Sequence, residues 1–240
     1  MTPFYVNRAP DDAHDPVANL RTYIDWSEGG CTYLFSGLRG AGKTTELNRL
    51  ITELRSNNVA AFYCDASVYL NLNDPHVTLP ELLMTALAGL SDAVRQQHGQ
   101  GSLEASIWDR IKLLLHSDVT IKPKLKAAPG GVGVELEATL QENPDFKKKL
   151  NKFARESSKF YEEAHAFAND VADLIRRLEG DKKIVLIVDS LERLSAPSGE
   201  EGKLFVSLKE IFFNNPAQLQ FPSISVVYSA PPYLHAVLPG

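Results

Sequence analysis

The chain has 240 residues, of which 44% are hydrophobic and 23% charged, with a net charge of -5. This composition fits a globular protein with a sizeable core and excludes collagen-like, low-complexity and disordered chains. The acidic balance gives no bulk attraction for nucleic acid or anionic lipid. Cys31 and Cys64 alone make neither a disulfide framework nor a zinc site.

Met1–Asn19 is polar and acidic, without the basic and apolar stretches of a signal peptide, so a cytoplasmic location is expected. No apolar run reaches the roughly 18 residues of a membrane span. A short helix is predicted near Pro16–Trp26, then a buried strand at Thr32–Phe35. Thr44–Leu54 reads as a helix with Leu47, Leu50, Ile51 and Leu54 on one face. Val59–Cys64 reads as a second strand, ended by Asp65. Thr78-Leu79-Pro80-Glu81 has the form of a capping box, opening a helix to about Gln96 that buries Leu83, Leu87, Leu90 and Val94.

A shorter helix is expected over 103–117. Val119–Lys126 and Val132–Thr139 alternate about Ala128-Pro129-Gly130-Gly131, which suggests a β-hairpin. Asp145–Glu179 reads as one long helix whose stripe is Phe153, Phe160, Ala164, Phe167, Val171, Leu174 and Leu178. Ile184–Val188 is unbroken aliphatic, as in a parallel strand covered on both faces. A helix over Glu200–Phe213 and a strand at Ser223–Tyr228 complete the pattern. Alternating strands and helices imply an α/β fold with a mainly parallel central sheet in three layers, carrying a helical insertion at about 95–180.

Gly37-Leu38-Arg39-Gly40-Ala41-Gly42-Lys43-Thr44 fits G-x-x-x-x-G-K-[ST] in full, between a predicted strand and a predicted helix. Glycines let the backbone curl so that successive N–H groups face a phosphate. The helix that follows offers its first donors and positive dipole end to the same anion. Residues Gly37, Leu38, Arg39, Gly40, Ala41, Gly42, Lys43, Thr44 and Thr45 are therefore the candidate nucleotide-binding segment. Lys43 would reach the β- and γ-phosphates, and Thr44 would ligate Mg²⁺. Arg39 also fits a solvated loop residue.

Ile184–Asp189 has the Walker B form, with Asp189 as the second Mg²⁺ residue. Glu192, three positions on, is the candidate base for the attacking water. Its plainer reading is a surface residue beside Arg193. Ser229, where the last strand ends, suits a sensor of the γ-phosphate or a turn-forming serine, and Asp65 suits an Asx turn.

Together these pieces resemble the additional-strand P-loop ATPases, and within them STAND, NACHT-type and AAA-like members. The motifs that carry the likeness are Gly37–Thr44, the strand at Val59–Cys64, and Asp189-Ser190-Leu191-Glu192-Arg193. Ser190 stands where typical AAA+ proteins have glutamate. Arg193 stands where NACHT-type proteins usually have a second acid, and is more like KAP-type ATPases. Phe4-Tyr5-Val6-Asn7-Arg8 is similar to a segment that these ATPases use beside adenine.

The resemblance implies an ATP- and Mg²⁺-dependent switch with slow hydrolysis of ATP to ADP and phosphate. It also implies self-association, or attached effector or sensor domains, and in bacteria a role in antiphage defence. The chain is accordingly expected to be the N-terminal part of a longer protein. A module whose nucleotide is structural is the alternative, as is an Orc-like DNA-associated ATPase, although no basic stripe indicates nucleic acid.

Overall fold

A computed structural model of the chain describes residues 15–99, 103, 106–115, 124–127, 133–136 and 144–237, with seven α-helices and six strands among them. In chain order they are α1 (Pro16–Trp26), β1 (Thr32–Ser36), α2 (Lys43–Ser56), β2 (Ala60–Asp65), α3 (Leu79–His98), α4 (Ile107–Leu114) and β3 (Lys124–Ala127). After these come β4 (Gly133–Leu136), α5 (Pro144–Glu156), α6 (Lys159–Glu179), β5 (Ile184–Asp189), α7 (Glu201–Lys209) and β6 (Ser225–Ala230).

Strand β5 is buried at all six positions, as its aliphatic run requires of a strand with neighbours on both edges and helices on both faces. The sheet runs β1-β6-β5-β2 and every pair is parallel. The period of two sends alternate side chains to opposite faces. Val185 and Ile187 join Ala61, Val227 and Phe35 under α1 and α2. Leu186 and Val188 join Phe62, Cys64, Val226 and Tyr228 in the larger core on the other face, with α3, α6 and α7.

Helix α3 is buried from Leu79 to Asp92, on every side. It lies against β2 and receives α4, α5 and α6 on its remaining surface. An all-round apolar helix needs such an enclosure. The insertion thus completes the main core. The helix and sheet meet at Gly89, where an added Cβ would fall 2.1 Å from Cys64 Sγ.

Three sequence expectations need correction. The stretch 145–179 is two helices, α5 and α6, broken at Ser157-Ser158. Ser157 Oγ accepts from Lys159 N at 3.2 Å and Ser158 Oγ donates to Glu162 at 2.7 Å, side-chain bonds that compete with the helical ladder. The buried stripe shifts as well. Phe146, Leu150 and Ala154 are the buried positions of α5, and α6 turns Ile175 inward while Leu178 is exposed.

The capping box at Thr78 does not form. Its hydroxyl bonds Glu81 and Asn151 side chains instead, because the fully buried Glu81 carboxylate is drawn to Lys147, 2.9 Å away, and to Asn151 at 2.6 Å. Of the expected hairpin, β3 and β4 pair antiparallel from Lys124↔Leu136 to Ala127↔Gly133, and its turn and outer residues lie outside the described residues.

Candidate functional site

The parallel sheet brings the C-terminal ends of all four strands to one edge, where crevices of open α/β sheets form. Asp189 and Ser229 end on the α2 side, because each lies two residues beyond a core residue of that side, Ile187 and Val227. Strand β6 stands between β1 and β5.

Between β1 and α2 the chain turns through Gly37–Gly42. Gly40 and Gly42 have φ of 80° and 84°, a region that an L side chain enters only with strain. Gly42 is the N-cap of α2 and offers no side chain to its first turn. That turn has N–H groups without partners inside the helix. The loop surface from Leu38 to Gly42 is exposed, Arg39 included, in keeping with its reading as a solvated residue.

Lys43 is the exception, with only 6% of its surface exposed. Its ammonium donates to the carbonyls of Gly37 at 2.8 Å and Leu38 at 2.7 Å. Its stem lies over Gly37, where a Cβ would meet Lys43 Cδ at 3.3 Å. Glu192 Oε1 stands 3.7 Å from the ammonium.

Thr44 and Asp189 are 145 positions apart in sequence, and the Thr44 hydroxyl donates to Asp189 Oδ2 at 2.7 Å. Asp189 is fully buried, and its Oδ1 accepts the Ser190 N–H at 2.7 Å. Ser190 has φ of 73°, in the left-handed region, which costs a serine about 1–2 kcal/mol. Backbone strain of this kind gathers at functional sites. Here it turns the chain into the 3-10 turn Leu191–Arg193, which carries Glu192.

Glu192 belongs to this group rather than to the surface. Its side chain is 8% exposed and Oε2 accepts the Ser229 hydroxyl at 2.8 Å. Ser229 Oγ also accepts the Leu191 N–H at 3.0 Å, so the last strand holds the turn by its backbone and by its acid. Lys43, Thr44, Asp189, Glu192 and Ser229 thus meet in one place.

Asp65 does not join them. It caps the 3-10 turn Ala66–Val68 through Ser67, as an Asx-turn residue does. The Phe4–Arg8 segment lies outside the described residues.

Tyr63 is the site residue that motif reading missed. Its hydroxyl donates to Asp189 Oδ2 at 2.9 Å, on the same oxygen as Thr44. Burial first, and then the Asp189 charge, push its phenol well above the usual value, so Tyr63 stays a protonated donor. The available signal was parity. Tyr63 is two residues before Asp65, and Asp65 pairs with Asp189 across β2 and β5.

No protein-family model matches this chain, and neither does any curated protein. No helix among the described residues is long and apolar enough to cross a membrane.

Proposed function

We propose that this chain is a P-loop NTPase of the additional-strand class, of STAND, NACHT-type or AAA-like kind, which binds ATP with Mg²⁺ and hydrolyses it slowly as a switch for assembly or signalling. One observation carries the reading: the Thr44 hydroxyl is 2.7 Å from Asp189, beside a buried Lys43 that faces Glu192 at 3.7 Å. A hydroxyl at a helix start, an acid at a strand end, a loop lysine and a second acid are the parts that triphosphate hydrolysis calls for. Strand β6, between the loop strand and the acid strand, suits a class named for an additional strand.

The donor set suits Mg²⁺. Thr44 spends its hydrogen on Asp189 and keeps its oxygen lone pairs, so both residues offer hard oxygen. Among the described residues there is no cluster of three or more His, Cys, Asp or Glu side chains that could hold an ion. Mg²⁺ bound with a nucleotide needs none, since phosphates and water fill most of its shell.

Each residue then has a task. The Gly37–Thr45 backbone and the first turn of α2 take the phosphates. Lys43 exchanges its two carbonyl partners for phosphate oxygens, which keeps its ammonium hydrogen-bonded throughout. Bound Mg²⁺ would neutralise charge on the β- and γ-phosphates, and Thr44 and Asp189 would hold it. Glu192 takes the proton as the water oxygen bonds the γ-phosphorus and the bridging P–O bond breaks toward ADP. Ser229 fixes the Glu192 carboxylate for that transfer.

The test is calorimetric titration of ATP with MgCl₂ into wild type and Lys43→Ala. The variant is expected to lose tight binding and to keep its fold, since Lys43 contacts loop carbonyls rather than core. Equal affinity in the two proteins refutes the proposal.

A further inference from the structure

We propose that Tyr63 is a positioning residue that fixes the plane of the Asp189 carboxylate, which would hold Mg²⁺, an inference that rests on the nucleotide reading above. An aspartate carboxylate has no sharp preference for its terminal torsion. Its plane is set by the donors around it. Asp189 is fully buried and receives three: Ser190 N–H on Oδ1, and the Thr44 and Tyr63 hydroxyls on Oδ2.

These donors come from different elements. Thr44 is the second residue of α2, just past the glycine-rich loop, and Ser190 has the left-handed backbone of a tight turn. Tyr63 alone comes from within a strand. It lies in β2, in register with Ile187 of β5, and its ring packs against the core beneath α2. A phenol anchored in the sheet gives the carboxylate a reference that loop movement does not disturb. With Thr44 it fills both lone-pair directions of Oδ2, which leaves the acceptor capacity of Oδ1 beyond the Ser190 N–H, where a metal-bound water would be received. Partners that orient a metal-holding group in this way typically contribute 10–100-fold in metal affinity.

Calorimetry of ATP binding, in EDTA and across a MgCl₂ series, separates the possibilities with wild type, Tyr63→Phe, Asp189→Asn and Lys43→Ala. Tyr63→Phe keeps the ring and removes the hydroxyl. It is expected to raise the MgCl₂ concentration at half effect about 10-fold while leaving ATP affinity in EDTA unchanged. Asp189→Asn should shift the same midpoint at least as far.

An unmoved midpoint in Tyr63→Phe, with Asp189→Asn shifted, overturns the positioning role and leaves the nucleotide site standing. Equal losses in EDTA and in MgCl₂ mark a merely structural tyrosine and overturn it too. If Lys43→Ala binds ATP as wild type does, the nucleotide reading itself falls, and the role of Tyr63 with it.

Discussion

Replacing Glu192 by Gln tests the chemistry of the site with little change of shape. Gln fills the same volume, and its side-chain carbonyl accepts the Ser229 hydroxyl that Glu192 accepts at 2.8 Å. Lys43 loses a counter-charge at 3.7 Å but keeps two carbonyl partners. The stability change should therefore stay within about 1 kcal/mol. On the proposed reading ATP binding should survive, because Glu192 is not among the groups assigned to the phosphates. Turnover should fall by about 10²-fold or more, the usual loss on removing a general base, which is about 2.7 kcal/mol of barrier. The assay is steady-state phosphate release over a range of protein concentrations. Activity per molecule should rise with concentration if an arginine from a neighbouring copy completes the site, since such residues contribute roughly 10³–10⁵ in rate. A Gln variant that matches wild type at every concentration refutes the base assignment, and if neither protein releases phosphate the alternative of a nucleotide-stabilised module becomes the better reading.

Two further predictions concern the scaffold. Asp15 caps α1 and binds Arg49 of α2, whose hydrogen bonds hold its carboxyl below the usual range with help from the Val17 and Ala18 N–H groups and against burial. A depressed carboxyl stabilises the fold fully above its unfolded value of ~3.9 and loses that contribution as pH falls through the lower folded value. Asp15→Asn keeps the cap but not the charge, and Arg49 retains Glu46 and Glu53. It should cost about 1–2 kcal/mol at pH 7 in urea unfolding. A gap from wild type that does not narrow below pH 4 contradicts this. Gly89→Ala should destabilise by about 1–3 kcal/mol despite the better helix propensity of Ala, because its Cβ would overlap Cys64. Cys64→Gly in the same chain, which removes both overlapping atoms, should recover more of the loss than Cys64→Ala, which keeps the Cβ 2.5 Å away, and thermal melts of the single and double variants decide it.

Much of the scaffold was legible because it rests on local chemistry. The aliphatic run at Ile184–Val188 has one economical use, a covered parallel strand, and β5 is buried throughout. Pro16–Trp26 is a helix with the bounds its pattern predicts, started by the Asp15 cap. Lys43, Thr44, Asp189, Glu192 and Ser229 were selected by spacing and strand ends, and the fold brings all five together. Local chemistry also misled. The apolar stripe ran on through Ser157-Ser158, because periodicity does not register two serines whose side chains bond the backbone and a neighbouring acid. Thr78 and Glu81 had the spacing of a capping box, but Lys147 and Asn151, some seventy positions away, took the carboxylate.

By itself, the sequence determined the alternation of strands and helices, the glycine-rich turn before α2 and the acid at the end of β5. Each of these depends on residues within a few positions of one another. Only the tertiary structure decided the strand order, the enclosure of α3 by the insertion and the partners of Asp189. Thr44 reaches that carboxylate across 145 positions and Tyr63 across 126. The two motifs placed Thr44 and Asp189 at one site but not in direct contact, and no motif marks Tyr63, because its contact arises from the register between β2 and β5.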